Sequence, residues 1–173
     1  MSKSKSKTPF LSTMKPYSRA NEPVKMITDQ EMTKQKKERL KSWVSFYRWN
    51  ISFFVEHYMG VNLFPYQRFW ISLISRSTQF LGVCSRASAK SWLIAVYSIA
   101  RCILYPGTII ALASSTKAQA GIIIAEKCVA LRNEHPNIDR ETLNIVTNQN
   151  KWEMTFVNGS RITVVISGEG GRG

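Results

Sequence analysis

The sequence predicts an α/β fold, a parallel sheet covered by helices, and three of its features carry that expectation. Gln79-Phe80-Leu81-Gly82-Val83-Cys84 is a short apolar run that leads through a small polar loop, Ser85 to Ala89, into helical spacing from Lys90. Thr108 to Ala113 is a second apolar run, rich in β-branched residues, followed by helical spacing from about Lys117 to Asn133. Strand, helix, strand, helix in that order requires right-handed crossovers and parallel strands buried on both faces. Trp152, Met154 and Phe156, then Ile162, Val164 and Ile166, alternate with more polar residues on either side of Asn158-Gly159. That pair favours a tight hairpin turn in which both positions have positive φ.

The segments upstream read as helices. Residues 1–27, rich in Lys, Ser and Pro, suit a flexible basic arm. Thr28 and Glu31 have capping-box spacing, so a helix is expected to start there. It continues through Trp43, Val44, Tyr47, Ile51, Phe54, Val55 and Tyr58 on one face, with Gly60 as its stop. A shorter helix is expected from Tyr66 to about Arg76. In the helix from Lys90, Leu93, Ile94, Val96, Tyr97, Ala100, Ile103 and Leu104 follow the helical period until Pro106-Gly107. Pro136 ends the helix from Lys117. The domains expected are therefore the arm at 1–27, a helical lead-in at 28–76 and a sheet-containing core at 79–173.

Composition narrows the function. The 173 residues carry a formal charge of +13, and 11 of the 24 Lys and Arg lie in residues 1–41, against four acids there. Such an excess can bind polyanions through counterion release or can simply be solvated. Three cysteines without C-x-x-C spacing, and two histidines, indicate neither a disulfide framework nor a zinc site. The start MSKSKSKTPF lacks the apolar core of a secretory signal, so reduced cytosol is the expected compartment. The longest apolar stretch, Trp92 to Tyr105, is short for a bilayer and contains Arg101.

The loop before Lys90 carries the chemistry. A phosphate-binding loop reads G-x-x-x-x-G-K-[ST] between a strand and a helix. Here the stretch is Cys84-Ser85-Arg86-Ala87-Ser88-Ala89-Lys90-Ser91, with Cys84 and Ala89 in place of the glycines. Lys90 is placed to reach β- and γ-phosphates, Ser91 to ligate magnesium, and the loop amides converge at a helix N-terminus. Ala89 is tolerable there if its φ is negative. The same residues also suit an ordinary helix start with Lys90 solvated.

Phe64-Pro65-Tyr66-Gln67-Arg68, the loop from Val83 to Leu93, Ile110 to Lys117, Asn158-Gly159-Ser160 and Gly168-Glu169-Gly170-Gly171-Arg172-Gly173, in unbroken order over roughly residues 43–173, resemble the large terminase subunits of tailed bacteriophages. The resemblance implies a P-loop ATPase with ATP and Mg2+ as cofactors and a glycine-poor Walker A motif of the type S-R-x-x-[GA]-K-[ST]. It assigns phosphates to Ser85, Arg86, Ala87, Ser88, Ala89 and Lys90, magnesium to Ser91, and the adenine to Tyr66 and Gln67. Lys90 and Arg172 become catalytic, Arg172 as a finger on a neighbouring subunit's nucleotide and Arg86 as a nucleotide sensor. As plain residues, Arg86 and Arg172 are loop arginines and Gln67 a polar residue at a helix start.

The resemblance further implies a viral protein of the host cytoplasm that drives double-stranded DNA into a procapsid. Its partners would be a portal protein, a small terminase subunit and copies of itself in a ring. A Walker B strand ending in Asp-Glu and a nuclease domain do not follow within these residues, so the chain is expected to be an amino-terminal fragment, inactive in hydrolysis alone. Two other readings stand beside it: a helicase-like P-loop motor, and a non-enzymatic basic nucleic-acid-binding protein using the tail with Trp43, Tyr47 and Trp49.

Overall fold

The computed structural model of the chain describes residues 34–85, 88–114, 116–148 and 151–166. The chain divides into two compact units, Met1–Lys37 and Glu38–Gly173. Of the first, only the helical residues Lys34–Lys37 are described, so the expected arm and the helix start at Thr28 lie outside the described residues. The second is a mixed α/β unit in which helices pack on a four-stranded mixed sheet.

Helix α1 (Lys34–Trp49) and helix α2 (Ile51–His57) replace the single helix expected up to Gly60. The break is at Asn50, at φ −123° and ψ 61°. Its backbone N–H and its side-chain Nδ2 both donate to the Phe46 carbonyl at 3.0 Å. An Asn side chain that competes for a helix carbonyl in this way favours interruption. Across the break Trp43 and Tyr47 meet Phe54 edge to face, and Phe54 stacks on Tyr58 at 5.0 Å. The apolar stripe thus keeps its partners although the helix does not stay straight. Gly60, at φ +75°, ends the segment as expected.

Helix α3 (Pro65–Arg76) has Pro at its first position, where the missing N–H costs nothing. Helix α4 (Lys90–Leu104) is the central element: Leu93, Ala95, Val96, Ser98, Ile99, Ala100, Cys102 and Leu104 are all buried. After it come strand β1 (Ile109–Ser114) and a continuous helical run made of α5 (Lys117–Ile122), a π-helical segment (Ile123–Cys128) and α6 (Val129–Glu134). Thr116 caps α5, its hydroxyl accepting from the Gln119 N–H at 3.2 Å. Pro136 ends the run as expected and opens a short helix that the sequence reading missed, α7 (Pro136–Glu141).

Strands β2 (Thr142–Thr147), β3 (Trp152–Phe156) and β4 (Arg161–Ile166) complete the sheet, in the order β1-β4-β3-β2. Only β1 and β4 are parallel; β4 with β3 and β3 with β2 are antiparallel. This corrects the parallel sheet expected to a mixed one, the β3–β4 pair being the hairpin expected across Asn158-Gly159. The short links between β2 and β3 and between β3 and β4 cannot carry a chain back to a parallel start, so those pairs must be antiparallel. The β3–β4 turn also differs from expectation. Gly159 N–H donates to the Phe156 carbonyl and Phe156 N–H to the Ser160 carbonyl, and only Gly159, at φ +80°, is left-handed. That is a three-residue connection closed by a bulge glycine, in which Asn158 keeps negative φ.

Two strand expectations fail in instructive ways. Gln79–Cys84 is not a strand: it makes no ladder, and Leu81 and Val83 are 90% and 89% exposed. Its contacts are to α3 instead. Phe80 meets Trp70 edge to face at 5.5 Å, and Gly82 lies so close under the indole that a Cβ there would fall 2.7 Å from Trp70 Cζ3. Strand β1 forms, but only Leu112 is buried; its residues alternate instead of being covered on both faces. Its ladder runs along β4 alone, which makes it an edge strand among the described residues.

One apolar core joins α1 to α4, the π-helical segment, α6, α7 and the sheet. Its largest fully buried side chains include Phe54, Phe156, Met59 and Met154. Among the described residues no helix is long and apolar enough to cross a membrane.

Burial gives the fold an alkaline limit. Burial, with Cys128 nearby, pushes the Cys102 thiol up to about 12 from 9.0, and burial alone does the same to Cys128. Burial and then its hydrogen bond to Glu141 raise Tyr58 from 10.0 to about 12. All three are held neutral by the fold and ionise sooner in the unfolded chain, so their contribution is complete below about pH 9 and is lost as pH rises from there towards about 12. Urea midpoints measured under reductant should therefore fall between about pH 8 and about pH 10.5, and an unchanged midpoint would contradict this burial.

Candidate nucleotide site

The two ends of α4 are treated differently. Its carboxyl end is closely satisfied: Arg48 donates through Nε and Nη2 to the Leu104 carbonyl at 3.0 and 2.8 Å. Asn158 Nδ2 donates to the carbonyls of Cys102 and Ile103 at 2.8 and 3.1 Å. Ser160 Oγ donates to the Tyr105 carbonyl at 2.9 Å, and the Arg48 and Arg101 guanidinium groups lie over the Tyr105 ring. Asn-Gly-Ser at the β3–β4 turn is therefore structural, tying the hairpin to the last turn of α4.

Among the described residues the amino end has no such closure. Ala89, at the N-cap position, offers no side-chain acceptor, and the first turn contains no acidic residue. The amides of a first helical turn carry the positive end of the helix dipole and attract anions. Ala89 is left-handed, at φ 54° and ψ 21°, the sole non-glycine residue with positive φ among the described residues. The condition of negative φ under which Ala89 is tolerable in a phosphate loop is therefore not met, and the position carries strain, because Cβ crowds the following carbonyl in that region.

Lys90 folds back over the loop, its Nζ donating to the Ser85 carbonyl at 3.2 Å. Ser88 Oγ donates to the same carbonyl at 2.9 Å. Ser88 and Lys90 thus meet at one carbonyl oxygen, that of Ser85. Ser91 is exposed in the first turn of α4, next to Lys90.

A cavity of about 210 Å³ opens here, lined by Tyr66, Trp70, Val83, Cys84, Ser85, Ser88, Lys90 and Leu93. Helix α3 supplies the aromatic wall, the loop and α4 the polar and cationic one. Tyr66 is half exposed, and its ring stacks at 8° on that of Phe64, 6.1 Å away. Gln67 lies behind this wall, 3% exposed. Its Oε1 accepts the Phe64 N–H at 2.9 Å, and its Nε2 donates to the Tyr66 hydroxyl at 3.3 Å.

Of the residues singled out by sequence, Tyr66, Ser85, Ser88 and Lys90 line one cavity, while Ala89 and Ser91 adjoin it along the chain. Arg86, Ala87 and Arg172 lie outside the described residues. Trp70 and Leu93 line the cavity and were read as ordinary helix-face residues; Trp70 follows Tyr66 by one helical turn, the spacing that puts two rings on one face. Among the described residues no group of three or more His, Cys, Asp or Glu could hold a metal ion.

Fold and site together define a mixed α/β chain with a cationic, loop-and-helix pocket facing an aromatic wall. No family model and no curated protein matches the chain.

The strain at Ala89 is testable. Ala89→Gly removes about 1–2 kcal/mol of left-handed strain, against a loss of about 1 kcal/mol from the freer unfolded chain. The variant should be as stable as the parent or up to about 1 kcal/mol more stable in urea titration. A clear destabilisation would place Ala89 in the right-handed region.

Proposed function

We propose that the chain is the ATP-binding part of a viral DNA-packaging motor of the large-terminase type, with a phosphate-binding loop that opens α4 although the segment before it, Gln79–Cys84, is not the strand such a loop usually follows. One observation carries the reading: Lys90, curled over a short loop at the uncapped start of a buried helix, shares a cavity with an exposed tyrosine. In this reading Ser85, Arg86, Ala87, Ser88 and Ala89 surround the phosphates, and the Lys90 ammonium leaves the Ser85 carbonyl for the β- and γ-oxygens. A left-handed Ala89 departs from the negative φ that the reading asks of a non-glycine residue there; a phosphate loop places glycine at such a position.

Mg2+ fits the donor set available. This ion keeps several waters and is held by a few protein ligands with substrate phosphates, of which the exposed Ser91 hydroxyl would be one. The cavity is smaller than the roughly 300–1,000 Å³ of pockets that enclose a whole ligand, so part of a triphosphate lies outside it.

Double-stranded DNA, a portal protein, a small terminase subunit and a ring of like subunits belong to the proposed parent activity, as do work in the host cytoplasm and an Arg172 finger. The formal charge of +13 is the feature of this chain that favours a DNA partner.

Fluorescence titration with a labelled ATP analogue and magnesium tests the proposal. Lys90→Ala should weaken binding by more than about tenfold, the worth of a lost charged hydrogen bond. DNA retention should change little, since one of 24 basic residues is removed. Equal nucleotide affinity in the two proteins would remove the reading.

A further inference from the structure

We propose that the pocket selects by stacking and by its grip on phosphate, not by reading the edge of the base, so that ATP and GTP are held alike; this rests on the nucleotide reading above. Gln67 is the amide that could distinguish an adenine, and its polar atoms are committed elsewhere. Its oxygen accepts the Phe64 N–H and its nitrogen donates to the Tyr66 hydroxyl. It is 3% exposed and is not among the residues that line the cavity. Its second N–H and second lone pair are therefore covered, and turning the amide out towards a base would leave Phe64 N–H unpaired at the start of α3, which costs more than a new bond returns.

What the cavity does present to a base is ring and hydrocarbon. Tyr66 and Trp70 lie one turn apart on α3, with Val83 and Leu93 opposite. Both rings are held in place: Tyr66 between the Phe64 ring and the Gln67 amide, Trp70 between Phe80 and the close backbone of Gly82. The remaining polar lining belongs to the loop and Lys90, where phosphate is expected. Stacking tolerates any base because every base has a π-face, whereas discrimination needs a buried hydrogen-bonding edge left unpaired by the wrong ligand. Gln67 is thus a positioning residue for Tyr66.

The test displaces a fluorescent ATP analogue from the 173-residue chain, in magnesium, with unlabelled ATP or GTP. The two should compete within about threefold of each other. Tyr66→Ala should weaken both by roughly five- to hundredfold, and Tyr66→Phe, which keeps the ring, by less than about threefold. Gln67→Ala should weaken both by one common factor and leave their ratio unchanged, a readout that a loss of stability alone does not move. A preference for ATP above about tenfold, levelled by Gln67→Ala, would overturn the inference and make Gln67 an edge reader while leaving the nucleotide reading intact. Binding of both nucleotides with no effect of Tyr66→Ala would overturn the stacking. Binding of neither would remove the nucleotide reading, and this inference with it. Should Gln67→Ala fail to fold, the ratio in the unmodified chain decides.

Discussion

Helix α4 is held by its carboxyl end and left open at its amino end, and the rest of the molecule follows from that asymmetry. Arg48 from α1, and Asn158 and Ser160 from the β3–β4 turn, converge on the last carbonyls and so bind helix, lead-in helices and hairpin into one unit. Eight buried side chains then fix the helix along its length. Among the described residues no side chain caps its first turn, which Ser85, Ser88 and the Lys90 ammonium adjoin. A helix so firmly anchored at one end can present the amides of its first turn at the other without losing its place.

The site was legible where chemistry is local and obscure where it depends on long-range packing. An ammonium, a hydroxyl and small loop residues in sequence suit a phosphate grip and equally an ordinary helix start, and the aromatic at Tyr66 was visible beside a helix start. Trp70 and Leu93 could not be told from core residues, because the helical period places a side chain on a face without saying whether that face meets solvent, core or cavity. Gln67 shows how local geometry adds to residue type. An amide suited to an adenine edge turns out to be turned towards its own helix start, a choice made by the Phe64 N–H and not by residue type.

Helices were read more safely than sheet. α3, α4 and the run from Lys117 have caps, prolines and apolar stripes that act within a few residues. The break at Asn50 comes from one side chain competing for one carbonyl, a detail that the continuing apolar period conceals. For Gln79–Cys84 the composition of a buried strand was present, but a strand needs a partner, and Trp70 holds this segment to α3 through Phe80 and Gly82. Strand β2, with Leu143 and Asn144 exposed at the sheet edge, carried too little alternation to stand out.

The most direct measure of the account is amide hydrogen exchange with and without magnesium-ATP. If the open end of α4 grips a triphosphate, exchange should slow in residues 88–93 and in the first turn of α3, while β2 and β3 on the far side of the sheet stay as they were. Unchanged exchange at the start of α4, at a nucleotide concentration that saturates binding, would contradict it.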